Sequence, residues 1–207
     1  MNQKERGDAF FALHHRGQPF VIPNPWDPGS ARMMKAKGFE ALATTSAGVD
    51  HVAGRMSGGG GRELVIENAR AIAAATDLPL SVDLEDCYGT DADGIAETIR
   101  LAADAGAVGG SIEDAIWGSH GEFYDIDTAV KRVEAAVAAA RALPFKFTVT
   151  ARCELLPYGK GDLEETIARL HDSEAAGPVR IFAPALRIRA PAAAATDADA
   201  AAVQWLA

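Results

Sequence analysis

Six short apolar runs, at residues 19–22, 40–44, 79–84, 107–112, 145–150 and 179–183, alternate along the chain with longer alanine-rich segments of helical period. No other feature constrains the fold as strongly. The alternation is that of βα units around a parallel sheet, with strands apolar on both faces and helices covering them. Helices are expected at 28–37, 63–76, 91–105, 127–142 and 162–176, with a further amphipathic stretch at 4–14. Their punctuation agrees: Asp27 before Pro28 suits an N-cap and first helical residue, and Gly38, Gly106 and Gly177 fall where a left-handed residue ends a helix. Polar residues collect after every strand, which favours a barrel over a doubly wound sheet. The expected fold is α/β, a (β/α)8 TIM-barrel type incomplete at the C-terminus, because about six βα units are legible where a closed barrel has eight.

The domain expected from this pattern spans residues 1–186, followed by an alanine-rich tail at 187–207 that suits either a helix or a loose end. Two units short of closure, the outer strands at 19–22 and 179–183 keep unpaired backbone groups along an edge. Self-association as a homo-oligomer, or marginal stability of the isolated chain, is therefore expected.

Composition narrows the function classes. A chain of 207 residues with 48% hydrophobic and 24% charged residues can bury a full core. Its net charge of −9, with no cluster of Lys and Arg, argues against a nucleic-acid partner. No apolar run reaches the length of a membrane span, and residues 1–8 are polar, so neither membrane insertion nor export is expected. Cys87 and Cys153 are widely separated and form no CxxC pair, which fits a reduced, cytoplasmic protein.

In a parallel β/α fold, functional groups gather where strands end. The first run delivers Asn24, Trp26 and Asp27; the second, Thr44 to Gly48; the third, Asp83, Glu85 and Asp86; the fourth, Glu113 and Asp114; the fifth, Arg152 and Glu154. Carboxylates converging from separate strands repel one another when dehydrated, so such a rim calls for a cation. An oxygen-rich set without nearby His or paired Cys suits Mg²⁺, with Mn²⁺ as the alternative, better than Zn²⁺. For Asp27, Asp86 and Asp114 the competing reading, helix capping or pairing with arginine, is the stronger one. Asp83 directly follows an apolar strand, where an unpartnered carboxylate would cost several kcal/mol.

Five stretches in order, Asn24-Pro-Trp-Asp-Pro-Gly-Ser-Ala31, Thr44-Thr-Ser-Ala-Gly48, Ser81-Val-Asp-Leu-Glu-Asp-Cys-Tyr-Gly89, Ser111-Ile-Glu-Asp114 and Thr150-Ala-Arg-Cys-Glu154, resemble the isocitrate lyase and phosphoenolpyruvate mutase superfamily. The similarity covers about residues 19–185. It implies a (β/α)8 barrel, Mg²⁺ at an acidic cluster, and chemistry beside a 2-oxo or enol carboxylate. Carried over by position, Asp83 is similar to the direct Mg²⁺ ligand, and Glu85 and Glu113 to ligands acting directly or through water. Ser46, Ala47 and Gly48 resemble the turn that holds a substrate carboxylate, and Trp26 belongs to the same substrate-binding set. Arg152 resembles the substrate-binding arginine, the competing reading being a salt bridge to Glu154 or Glu113.

Departures from the family pattern shape the expected activity. Members with mutase or phosphonate hydrolase activity carry an Asp after the second strand where this chain has Ser57, and the stretch at 116–120 lacks the Cys of long-substrate lyases. Cys87 and Cys153 are expected to be packing residues. The glycine run 58–61 has no following Lys-Ser/Thr and is not a phosphate loop; it suits a lid hinge or a plain loop. The leading expectation is an oxaloacetate decarboxylase-like Mg²⁺-dependent lyase or decarboxylase for a small 2-oxo dicarboxylate, with Ser46, Asp83 and Arg152 as its catalytic groups. The alternatives are a carboxyvinyl-carboxyphosphonate phosphorylmutase-like mutase or hydrolase, and an inactive family member.

Overall fold

The computed structural model describes residues 1–119, 121–177 and 180–185. Among these residues the order is α1 (Gln3–His15), α2 (Pro28–Ala36), β1 (Leu42–Ala43), α3 (Ser46–Val52), α4 (Gly61–Ala75), β2 (Leu80–Asp83), α5 (Ala92–Asp104), β3 (Gly109–Glu113), α6 (Ile126–Arg141), β4 (Thr148–Arg152), α7 (Leu163–Ala175) and β5 (Arg180–Phe182). The five strands are parallel and lie side by side in chain order, the arrangement of a curled half-barrel.

The strands are less uniformly apolar than the sequence reading assumed. Leu80, Val82, Ile112, Val149 and Ala151 are buried in one cluster with Val65, Ile66 and Ile72 of α4, Ile95 and Ile99 of α5, and Val133 and Val137 of α6. The alternate residues Ser81, Asp83, Ser111, Glu113, Thr150 and Arg152 line the concave side. Period-two alternation thus separates a helix-facing apolar layer from a polar interior.

Residues 19–22 form no strand in the described structure, a correction with a simple cause. Pro19, Pro23 and Pro25 have no N–H to give a ladder. The segment runs along β1 with one backbone bond, from Ala43 N–H to the Pro23 carbonyl at 3.1 Å, and the Asn24 amide donates to the Ala43 carbonyl at 3.0 Å. Helix α3 was not anticipated, and α4 begins two residues earlier than expected. The run at 179–183 yields β5, although Val179 lies outside the described residues, as does the expected tail at 187–207.

The stretch at 4–14 is helical but buries only Gly7 and Phe10, so it is not the broadly amphipathic helix its sequence promised. Gly7 permits a close approach: a Cβ there would lie 2.5 Å from the Lys146 carbonyl oxygen. Gln3 donates to the carbonyls of Ala103 and Ala107, and Phe10 packs with Ile22, Ala41 and Val108. Helix α1 therefore sits beneath the N-terminal ends of β3 and β4, opposite the strand ends that carry chemistry. Among the described residues no helix is long and apolar enough to cross a membrane.

His14 at the end of α1 gives this layer a pH dependence. Its ring meets Phe10 and Phe20 edge-on, and both ring nitrogens are buried without a hydrogen-bond partner. Burial, then the nearby charges of Arg180 and His15, lowers it from 6.5 to about 3. The unfolded chain takes up a proton near pH 6.5 and the native state does not, so this contribution is complete above pH 6.5 and is lost as pH falls towards 3. His14→Leu is expected to reduce the stability lost between pH 7 and pH 5 by about 1–2 kcal/mol in urea melts. An identical loss in both proteins would refute the assignment.

Candidate active site

Strand register assembles the rim. Asp83 pairs with Ser111, Ser111 with Thr150, Glu113 with Arg152, and Arg152 with Phe182, so the last interior residues of β2, β3 and β4 stand in adjoining rows. They face a cavity of about 280 Å³, also lined by Ser46, Ala47, Ser57, Glu85, Glu154 and Tyr158.

Arg152 is the central cation. Its Nη1 lies 2.7 Å from Asp83 Oδ1, its Nη2 2.7 Å from Glu154 Oε1 and 3.4 Å from Glu113 Oε2, and its Nε donates to Glu154 at 2.8 Å. Burial favours the neutral form of Asp83, but Arg152 and two hydrogen bonds from Ser46, by its N–H at 3.1 Å and its hydroxyl at 2.8 Å, hold this carboxyl below its usual value. Glu113 goes the other way: burial, opposed by Arg152 and reinforced by Glu154, Glu85 and Asp83, raises it well above normal. Burial and the Asp83 charge also raise Glu85, which is within hydrogen-bonding reach of Glu113 and Ser46. One guanidinium thus pairs with three carboxyl groups and also acts at a distance on Glu85, and negative charge is left over.

The turn after β2 is strained. Glu85, Cys87 and Tyr88 have φ of 50°, 65° and 53°, a left-handed region that costs non-glycine residues roughly 1–2 kcal/mol each. Bonds fix it: Cys87 N–H to the Leu84 carbonyl at 2.7 Å, Thr98 hydroxyl to the Cys87 carbonyl at 2.6 Å, and Glu113 N–H to the Glu85 carbonyl at 3.0 Å. Among the described residues one other non-glycine residue, Ala185, has a positive φ, so this strain gathers in the turn that presents Glu85.

Of the residues singled out from sequence, Ser46, Ala47, Asp83, Glu85, Glu113 and Arg152 line this same cavity. Trp26 and Gly48 are set back from it. Asp27 and Ser30 form the capping box of α2, which leaves Trp26 half-exposed beside Gly48. The Gly48 N–H is donated to Thr45 Oγ1, the N-cap of α3. Asp27 caps α2 as the competing reading had it; Asp114 accepts the Glu154 N–H at 2.8 Å and pairs with Arg169. Arg152 pairs with both Glu154 and Glu113, and with Asp83 as well. Cys87 and Cys153 are buried and free, and burial raises both thiols, Cys153 to about 12, as inert packing residues require. In the glycine run, Gly59 N–H donates to Asp50 at 3.1 Å, and a Cβ on Gly60 would fall 2.1 Å from Asp50 Oδ1. Tyr158 was not anticipated, and it lies in no periodic pattern that marks it; Ser111, singled out only as the start of a matching stretch, lines the cavity through the alternation of β3.

Among the described residues no three Asp, Glu, His or Cys side chains converge closely enough to share a metal ion. Asp83, Glu85 and Glu113 share the cavity, but the Arg152 guanidinium occupies the space against Asp83. The donor chemistry nevertheless suits a hard divalent cation. The oxygens are carboxylate and hydroxyl, excess negative charge remains beside Arg152, and Mg²⁺ binds through one or two carboxylates while keeping several waters.

The chain and its fold match known proteins. The phosphoenolpyruvate phosphomutase family model matches residues 10–206, and the chain belongs to that family. It is 30% identical over 199 residues to an oxaloacetate decarboxylase of Paraburkholderia xenovorans LB400, covering 84% of this chain and 59% of that protein. A protein of Burkholderia cenocepacia J2315, described provisionally as a lyase/mutase, superposes with a TM-score of 0.86 at 49% identity over 90% of this chain and 66% of its own. An oxaloacetate acetylhydrolase in complex with its product oxalate superposes with a TM-score of 0.82 at 27% identity, over 92% of this chain and 67% of its own. The chain spans about half the length of the curated relatives it matches.

Proposed function

We propose that this chain carries the site of a Mg²⁺-dependent lyase or decarboxylase that cleaves a carbon–carbon bond in a small 2-oxo dicarboxylate. The observation that carries this reading is Arg152, held 2.7 Å from both Asp83 and Glu154 at the mouth of a cavity of about 280 Å³. That volume is at the small end for ligand sites and matches a short acid. The oxaloacetate decarboxylase relative supports the same substrate class.

Asp83 would hold the cation directly, and Glu85 and Glu113 through coordinated water. Bound Mg²⁺ supplies a Lewis acid for the 2-oxo group. Ser46, whose hydroxyl lies 2.8 Å from Asp83, and Ala47 border the place where the substrate carboxylate would rest. Arg152 offers a planar fork to the second anionic group or to the developing enolate. The bond to the departing carboxylate breaks, carbon dioxide leaves with no charge, and the electron pair becomes the enolate. One proton from water then returns to carbon and gives pyruvate.

The phosphorus-transfer reading has less support, because Ser57, which lines the cavity where mutases carry Asp, offers a neutral hydroxyl. Oxalate, shaped like the pyruvate enolate, is expected to bind with Mg²⁺ and hardly at all without it, since its two oxygens chelate the ion. Calorimetry with and without EDTA measures this. Equal binding in both conditions would refute the mechanism, and turnover of phosphonopyruvate but not oxaloacetate would favour the phosphorus reading.

A further inference from the structure

Asp86 is not among the residues lining the cavity, yet among the described residues its side chain gathers more partners than any carboxylate outside the arginine cluster. It is 4% exposed. Its Oδ1 accepts the Tyr88 N–H at 2.9 Å, within the strained turn. Its Oδ2 accepts the Trp117 N–H at 3.2 Å and the Tyr124 hydroxyl at 2.9 Å, both from the segment between β3 and α6. Arg132 of α6, also buried, lies 3.7 Å from the same Oδ2 and donates to the Asp86 carbonyl at 2.5 Å. Its guanidinium stacks over the Tyr124 ring at 4.2 Å, and Tyr88 meets Trp117 edge-on. The hydroxyl of Tyr124 is pushed up to about 12, first by burial and then by this bond, so it stays a donor.

We propose that Asp86 is a positioning residue: one carboxylate clamps the left-handed turn that presents Glu85 to the segment preceding α6, so the two move as a unit. Three consecutive features support it. The turn is in a conformation its residues do not favour, the two oxygens of Asp86 serve its two sides separately, and Glu85 adjoins Asp86 in the chain with its carboxyl at the cavity. An Asn at this position has only one acceptor oxygen and would turn an N–H₂ donor towards either the Tyr88 N–H or the Trp117 and Tyr124 donors. It must therefore release one side. As a contribution to catalysis the clamp rests on the proposed function; as a mechanical coupling it does not.

Amide hydrogen exchange in the metal-free full chain tests the coupling. Asp86→Asn is expected to speed exchange about tenfold or more in both the turn at 84–89 and the amides of 116–119 and 121–124, with α4 and the β3–β4 ladder unchanged. Tyr124→Phe, which removes one bond and keeps the carboxylate, is expected to give a smaller change in the same two segments and guards against a poorly folding Asn variant. Mg²⁺ affinity by calorimetry is expected to fall about tenfold in Asp86→Asn, the low end of the range for groups that orient a ligand from behind. Acceleration confined to one segment, or absent from both, overturns the clamp, as does unchanged Mg²⁺ affinity where the wild type binds the ion. Coupled exchange in a wild type that binds no Mg²⁺ supports the clamp and refutes only the proposed function.

Discussion

Arg152→Met is expected to cost the metal-free protein about 3–5 kcal/mol of stability at neutral pH, the usual penalty for leaving buried charges without their partner. Asp83, Glu113 and Glu154 all lie within ion-pairing distance of this one guanidinium, with side chains between 6% and 14% exposed. The pH dependence follows from the signs of the shifts. Asp83 is held below its usual value, so its pairing stabilises the fold above about pH 3.8 and is lost as pH falls. Glu85, Glu113 and Glu154 are raised, so the native state keeps protons that the unfolded chain loses near pH 4.5, and stability declines as pH rises through their folded values. Removing Arg152 forfeits the first contribution and steepens the second. The difference between variant and wild type should therefore be small near pH 4, grow towards pH 7.5, and shrink again on adding Mg²⁺ as a substitute cation. Urea melts in EDTA across that range measure it, and a difference independent of pH would show that Arg152 does not neutralise this cluster.

The part of this site visible in the sequence was the part written at strand ends. Asp83, Glu113 and Arg152 each close an apolar run, and register then had to bring them together, because parallel strands of similar length end on one side. Glu85 and Ser46 follow two residues or so behind and share that origin. What stayed hidden depended on contacts with no local signature. Asp86 looks like a turn or capping residue by sequence, and its partners Trp117, Tyr124 and Arg132 lie 31, 38 and 46 residues away. Helix α3, Ser46–Val52, is too short for helical period to show. Residues 19–22 have strand composition, but their flanking prolines deny them a ladder, and only backbone accounting exposes that. The polar alternation inside β2 to β4 was legible in Ser81, Asp83, Ser111 and Thr150, and was obscured by treating the runs as uniformly apolar.

The acidic residues should also separate by how they hold a cation, and Asp83→Asn is the variant expected to show the largest loss of Mg²⁺ affinity. Asp83 is the carboxyl in this cluster kept ionised, by Arg152 and by the Ser46 N–H and hydroxyl, and an ionised oxygen is what Mg²⁺ requires. Glu85 and Glu113 are raised and lie within hydrogen-bonding reach of each other, which needs one shared proton; they suit bonds to coordinated water better than direct ligation. Asn keeps the shape of Asp83 and loses its charge, and Arg152 retains Glu113 and Glu154, so the fold is expected to survive. The affinity loss should exceed the roughly 10–100-fold that follows removal of an outer partner, while Glu85→Gln and Glu113→Gln should fall within that range. Calorimetric titration of the three variants, with near-ultraviolet circular dichroism to confirm folding, gives the order. Unchanged binding in Asp83→Asn alongside abolished binding in Glu113→Gln would move the cation to the β3 side of the cavity and leave Asp83 as the structural partner of Arg152.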